Sequence, residues 1–213
     1  MPVAVERFVL SQYGSNCYAV SAGPDAAEVV VVDPGGDPAP LLGELAASGA
    51  RVGGILITHG DIDHVEGVAK LVAASGAEVW IPAGEAADLR TGETRGGTRV
   101  PPYDPEHEVA DGDRVTIAGI TFDVVGVPGH SVDHVAYCTE GKLFAGDLLF
   151  AGSVGRTDLA GGDWSTLLGS VRRLIERYGP DAVVYPGHGD PTTLGRELAT
   201  NPFLGELRAG SHR

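Results

Sequence analysis

Four apolar runs in this chain end in the same way, and that shared ending limits what it can fold into. GGILIT (53–58) runs into His59, ITFDVVGVPG (120–129) into His130, KLFAG (142–146) into Asp147 and AVVYPG (182–187) into His188. Each run reads as a buried strand, and each leads a metal-competent side chain off its tip into a loop. Strand ends on a rigid sheet are where catalytic groups collect. The four turns, THGD, PGHS, AGDL and PGHG, all carry glycine. Glycine permits the tight turns that bring ligands from separate strands together.

The rest of the chain supplies strands and helices in alternation. RFVL (7–10), NCYAVSA (16–22) and EVVVVD (28–33) are predicted to pair, the last as a strand buried on both faces. LLGELAAS (41–48) and VEGVAKLVAAS (65–75) have helical spacing and end at Gly49 and Gly76, and AEVWIP (77–82) reads as a strand. Residues 83–113 are predicted to be irregular, with TGETRGGTRVPPYDP as the mobile loop, able to cover a site with Tyr103. Strands follow at 113–118, 120–127, 134–139 and 142–147, then an amphipathic helix over 164–178 with Leu167, Leu168, Val171, Leu174, Ile175 and Tyr178 on one stripe. No repeat and no Gly/Ser linker divides the 213 residues, so a single domain over 1–213 is expected.

Charge narrows the partners. A net charge of −14 without any Lys/Arg-rich run argues against nucleic acid and against an anionic membrane surface. No apolar run approaches the roughly 18 residues of a membrane span. MPVAVERFVL lacks the pattern of a signal peptide, so a cytoplasmic protein acting on a small molecule is expected, with the oligomeric state left open. Cys17 and Cys138 both lie in strand-like runs and read as buried thiols.

The chemistry concentrates in THGDIDHVEG (58–67), which places His59, Asp61, Asp63 and His64 within six positions. With His130, Asp147 and His188 it makes four of the seven histidines and three aspartates. Neutral imidazoles and carboxylates with a position open for water are the materials of zinc, iron and manganese enzyme sites. A lone histidine is more often a packed or surface residue; four in this pattern are not. His107, His134 and His212 are closer to that ordinary role, although His134, four residues after His130, is placed to line the site.

In order, H-x-[HDE]-x-D-H, G-H-S, G-D and G-H-G resemble the motifs of the metallo-β-lactamase fold superfamily. VGRTDLAGGDWSTLLGSV (154–171), YPGHGDPTTLGRE (185–197) and NPFL (201–204) are similar to its glyoxalase II (hydroxyacylglutathione hydrolase) branch. The resemblance implies an α+β fold, an αββα sandwich with the metals at one edge of two sheets. It implies two divalent ions, zinc first, with iron or manganese as alternatives. The first would be held by His59, Asp61 and His130, and the second by Asp63, His64 and His188, with Asp147 bridging. Asp63 would be the catalytic residue, orienting a metal-bound hydroxide for attack on a thioester or related acyl carbonyl. A chain reaching so little beyond NPFL is expected to lack the C-terminal helical extension that helps hold glutathione in longer members.

Asp61 stands where the hydrolases usually have histidine. As a ligand it would add negative charge, make the first ion a weaker Lewis acid and favour harder cations. As a non-ligand it would leave the first site depleted. The alternative activity is that of a non-haem iron persulfide dioxygenase, since His59, His130 and Asp147 alone form a 2-His-1-carboxylate set. Arg156 in GRTD (155–158) could meet an anionic substrate or pair with an aspartate, and Trp164 reads as a packing residue at a helix start.

Overall fold

The computed structural model describes residues 2–210. One sheet has six strands in sequence order: β1 (Ala4–Val9), β2 (Asn16–Ser21), β3 (Glu28–Val32), β4 (Arg51–Leu56), β5 (Val79–Pro82) and β6 (His107–Val109). β1, β2 and β3 pair antiparallel, and β3 to β6 run parallel. Helices α1 (Ala39–Ser48), α2 (Ile62–Val65), α3 (Val68–Ser75) and α4 (Ala86–Thr91) fall in the connections between the parallel strands. The second half of the chain supplies β7 (Arg114–Ile117), β8 (Ile120–Gly126), β9 (Val135–Thr139), β10 (Lys142–Gly146), the short ribbon β11 (Leu149–Phe150) and β12 (Ser153–Val154), then β13 (Val183–Pro186) and β14 (Thr192–Thr193). The other six-stranded sheet has the order β14-β13-β10-β9-β8-β7. Helices α5 (Trp164–Tyr178), α6 (Leu194–Thr200) and α7 (Gly205–Gly210) complete the chain.

Alternation along the strands builds three apolar layers. In β2 and β3, Cys17, Ala19, Val29 and Val31 face Leu41 and Leu45 of α1 and Val68 and Leu71 of α3. Their neighbours Tyr18, Val20, Val30 and Val32 point the other way, against Phe122, Val124, Tyr137 and Phe144 of the second sheet. On that sheet's far side Val125, Ala136, Cys138, Leu143 and Val184 pack under Leu167, Leu168, Val171 and Leu174 of α5. This is an αββα sandwich, and it explains why EVVVV is apolar at every position after Glu28: both faces are covered. Each such fully buried Val or Leu contributes about 1.5–3 kcal/mol. Cys17 and Cys138 are free, buried and on opposite sides of the sandwich.

Two expectations change. The helix predicted over 65–75 is two helices: Asp63 and His64 lie on α2, and the chain turns at Gly67, whose N–H donates to the Pro34 carbonyl at 2.8 Å. The stretch 83–113 is more regular than its composition implies, since it contains α4 and β6. α4 is only six residues long and ends at Gly92 with φ +70°, so tertiary contacts rather than propensity sustain it.

Candidate metal centre

β4, β8, β10 and β13 all end at one edge of the sandwich, and backbone hydrogen bonds hold their loops together there. Val135 N–H donates to the Thr58 carbonyl (3.1 Å), Gly187 N–H to Gly146 (2.7 Å) and Asn16 N–H to Gly187 (2.7 Å). The Tyr18 hydroxyl and the Asn16 amide both donate to the Pro186 carbonyl, fixing the turn that carries His188. Gly187 must be glycine: a Cβ there would lie 2.1 Å from Asp147 Oδ1 and 2.7 Å from His64 Cε1.

The structure brings all seven candidate residues into this edge. Their donor atoms form three overlapping groups, His59–Asp61–His130, His59–His64–Asp147 and Asp63–His64–His188, within 4.8 Å in each group. His59 and His64 are fully buried, His130 and Asp147 nearly so, and His188 is half-buried at the opening. The hydrogen-bond network assigns the imidazole tautomers. His130 Nδ1 lies 2.8 Å from the Arg156 carbonyl, which can only accept, so Nδ1 carries the hydrogen. His64 Nδ1 donates to Asp33 Oδ2 at 2.9 Å. Thr58 Oγ1 donates to the same Asp33 oxygen at 2.7 Å and therefore accepts from His59 Nδ1 at 3.0 Å. All three rings thus aim Nε2 inward, and the Nε2 atoms of His59 and His64 have no hydrogen-bond partner.

Those atoms are spaced for metal ligation. His64 Nε2 is 3.3 Å from Asp147 Oδ1, and His188 Nε2 is 3.1 Å from Asp63 Oδ2 and 3.5 Å from Asp147 Oδ2. His130 Nε2 is 3.1 Å from Asp61 Oδ2 and 3.8 Å from Asp147 Oδ2, and His59 Nε2 is 3.7 Å from Asp61 Oδ2. Ligands at about 2.0–2.2 Å from one tetrahedral ion stand about 3.4 Å apart. The donor set, its convergence and its orphaned buried nitrogens therefore fit divalent ions.

The cluster's electrostatics point the same way. Burial and the neighbouring histidines His64, His134 and His130 lower the His59 pKa, keeping it neutral. Burial opposes ionisation of Asp147, but His64 and His188 outweigh it and hold the carboxyl well below its usual range. Burial would also lower His64, yet Asp147 and Asp33 prevail and raise it. Hydrogen bonds to Asp147 and Asp63 lift His188 to about 9. A proton and a divalent ion compete for the same imidazole lone pair. Metal loading near neutral pH is therefore expected to release protons, and apparent affinity to rise with pH from about 6 to about 9. Calorimetric titration in two buffers of different ionisation enthalpy measures the release; pH-independent affinity between 6 and 9 would refute the coupling.

Several residues at the site escaped the sequence reading. Asp33 accepts from Thr58 N (2.8 Å), Thr58 Oγ1 and His64 Nδ1, and so orients two of the histidines. Glu85 accepts from Gly60 N (3.1 Å) and Ser131 Oγ (2.6 Å), tying the His59 loop to the His130 loop. Arg95 comes from the 92–103 loop and reaches Asp61 through Nε at 2.9 Å and Nη2 at 2.5 Å. Tyr103, expected to cover the site with that loop, instead donates to Glu106 and packs on the outer helical layer. Their only local sign was polarity: Asp33 ends a strand run, and Arg95 is a cation in a Gly/Thr loop.

The remaining candidates fall outside the cluster or at its margin. His134 is fully buried with both ring nitrogens unpartnered, its ring 4.7 Å from that of His59, and burial lowers its pKa to about 3. His107 stacks on Trp80 at 4.3 Å and pairs with Glu78, away from the cluster. His212 lies outside the described residues. Arg156 forms a two-pronged pair with Asp158 at 2.7 Å and lines the cleft beside Tyr13, Ile62 and Leu159. Trp164 begins α5 and packs edge-on against Phe203.

An αββα sandwich with clustered imidazoles and carboxylates at its strand ends is the build of a metallo-hydrolase. The family comparison agrees: the model of the metallo-beta-lactamase superfamily matches residues 10–188, and the chain belongs to that superfamily, whose members are mostly metallo-hydrolases. A hydroxyacylglutathione hydrolase from Methylobacillus flagellatus is 38% identical over 213 residues, covering 82% of this chain and 78% of its own. The crystal structure of the BLEG-1 B3 metallo-beta-lactamase superposes with a TM-score of 0.88 at 33% identity, covering 95% of this chain and 100% of that one. The crystal structure of TTHA1623 in a di-iron-bound form gives 0.82 at 38% identity, covering 93% and 100%.

Proposed function

We propose that this protein is a glyoxalase II-like hydrolase that cleaves a small acyl thioester. The observation that carries the reading is the convergence of the Nε2 atoms of His59, His64 and His130, each ring fixed from behind through Nδ1. Likeness to a hydroxyacylglutathione hydrolase supports the thioester class, and the di-iron-bound relative keeps iron beside zinc and manganese as the metal.

In this reading His59, Asp61 and His130 would serve one divalent ion, Asp63, His64 and His188 a second, and Asp147 both. Such ions, when bound, turn a water into hydroxide at neutral pH and polarise a carbonyl. The residues of the chain do the rest. Asp63, whose carboxylate lines the cleft, orients the attacking water and takes up its proton. Tyr13, Ile62 and Leu159 give the acyl or thiol part an apolar wall, and Arg156 adds a cation at the rim. Asp33 and Glu85 keep the two histidine loops from shifting; a 1 Å displacement of a reacting group can cost about 10²-fold in rate.

The test is turnover of S-lactoylglutathione under nitrogen by protein loaded with zinc, iron or manganese. Release of free thiol, abolished by chelation and restored by metal, is the expected result. Oxygen consumption with a glutathione persulfide, and no thioester cleavage, would replace this reading with the dioxygenase one.

A further inference from the structure

The two halves of the cluster are not equivalent. His130 Nδ1 donates to the Arg156 carbonyl, so in the neutral ring Nε2 is the lone pair, and it stands 3.1 Å from Asp61 Oδ2, a second acceptor. Two acceptors at that distance need a donor or a cation between them. Arg95 supplies one from the chain itself. Its Nη2 is 2.5 Å from Asp61 Oδ2 and 3.0 Å from His130 Nε2, its Nε is 2.9 Å from Asp61 Oδ1, and its Nη1 donates to the His130 carbonyl. The side chain is only 8% exposed. Nη2 thus contacts two of the four donors proposed for the first ion.

Charge separates the halves further. Asp61 and Arg95 cancel each other before an ion arrives. Asp63 and Asp147 on the other side pair only with histidines among the described residues. The carboxylates of the second half therefore face only imidazoles, whereas the first half offers a carboxylate already held in a fork geometry that a guanidinium satisfies well.

We propose that Arg95 is a built-in competitor for the first half of the centre. A divalent ion fills the half made by Asp63, His64, His188 and Asp147 first, and an ion joins His59, Asp61 and His130 only when the Arg95 guanidinium leaves Asp61 and His130. The inference rests on the metal-centre reading above and adds an order of loading to it. It also accounts for an aspartate at position 61: with Arg95 beside it, the pair is as neutral as a histidine until a metal displaces the arginine.

Metal-free protein titrated with Zn²⁺ and with Mn²⁺ tests this without reference to turnover. Wild type is expected to load in two steps, the second at least tenfold weaker. Arg95→Met should tighten that weaker step tenfold or more and leave the first unchanged, while Arg95→Lys, which keeps charge but loses the fork, should fall between. Crystals given one equivalent should show anomalous density only among Asp63, His64, His188 and Asp147, with Arg95 still on Asp61. Excess metal should add the other ion and turn Arg95 away. Equal filling at one equivalent would overturn the proposal. So would an ion among His59, Asp61 and His130 with Arg95 in place, or an Arg95→Met protein whose weak step is unchanged or weaker. Symmetric loading with thioester turnover defeats this inference alone; stepwise loading without turnover defeats only the thioester reading.

Discussion

Asp147→Ala is expected to abolish hydrolysis, lowering kcat/KM by at least about 10³-fold, because metal-supplied charge stabilisation contributes several kcal/mol. Asp147 is the carboxylate common to both halves: its oxygens lie 3.3 Å from His64 Nε2, 3.5 Å from His188 Nε2 and 3.8 Å from His130 Nε2. It follows β10 directly and lies against Gly187. Its loss should also release His188, whose pKa of about 9 depends first on Asp147, back toward the ordinary range. Metal analysis and an NMR titration of His188 in the metal-free variant therefore accompany the kinetics. Retention of both ions with activity within tenfold of wild type would show that Asp147 is not the shared ligand. An unchanged far-UV spectrum separates loss of metal from loss of fold.

Asp33→Asn is expected to cost about 2–3 kcal/mol of stability and 10- to 100-fold in metal affinity, the two measured by denaturant titration and competition with a chelator. Asp33 is buried and receives hydrogen bonds from a backbone N–H, a hydroxyl and an imidazole. An asparagine of the same shape has one accepting oxygen and must turn its NH₂ toward a donor, so at least one bond becomes a repulsion. Asparagine is the right substitution because Asp33 has φ +52°, a left-handed conformation that asparagine adopts readily and alanine does not. The loss then reads the polar network rather than backbone strain. Since Thr58 Oγ1 and His64 Nδ1 share Oδ2, the tautomers of His59 and His64 loosen together. A variant as stable as wild type that binds metal equally well would remove Asp33 from any role in holding the histidines.

Much of the architecture was legible along the chain. The apolar run EVVVV reads as buried on both faces and Leu167, Leu168, Val171 and Leu174 as one buried stripe, so helices layered on sheet were legible from the pattern; that two sheets pack between helical layers was implied by the resemblance to the superfamily. Periodicity is local information, and a strand end is local too: the glycine turns marked where His59, His130, Asp147 and His188 leave the sheets. α4 and β6 were not legible because neither is long enough to show a period.

What the tertiary structure alone decided is which side chains meet. Arg95 is 34 residues from Asp61, and Glu85 is 46 from Ser131. Such pairs form between loops, where no repeat dictates direction and any of several polar residues would look the same in sequence. The residue types at the candidate centre, and the strand ends that deliver them, belong to the sequence. The orientation of the imidazoles, the unlike partners of the two halves and the arginine lodged between Asp61 and His130 belong to the fold, because hydrogen bonds and electrostatic fields depend on distances that only packing sets.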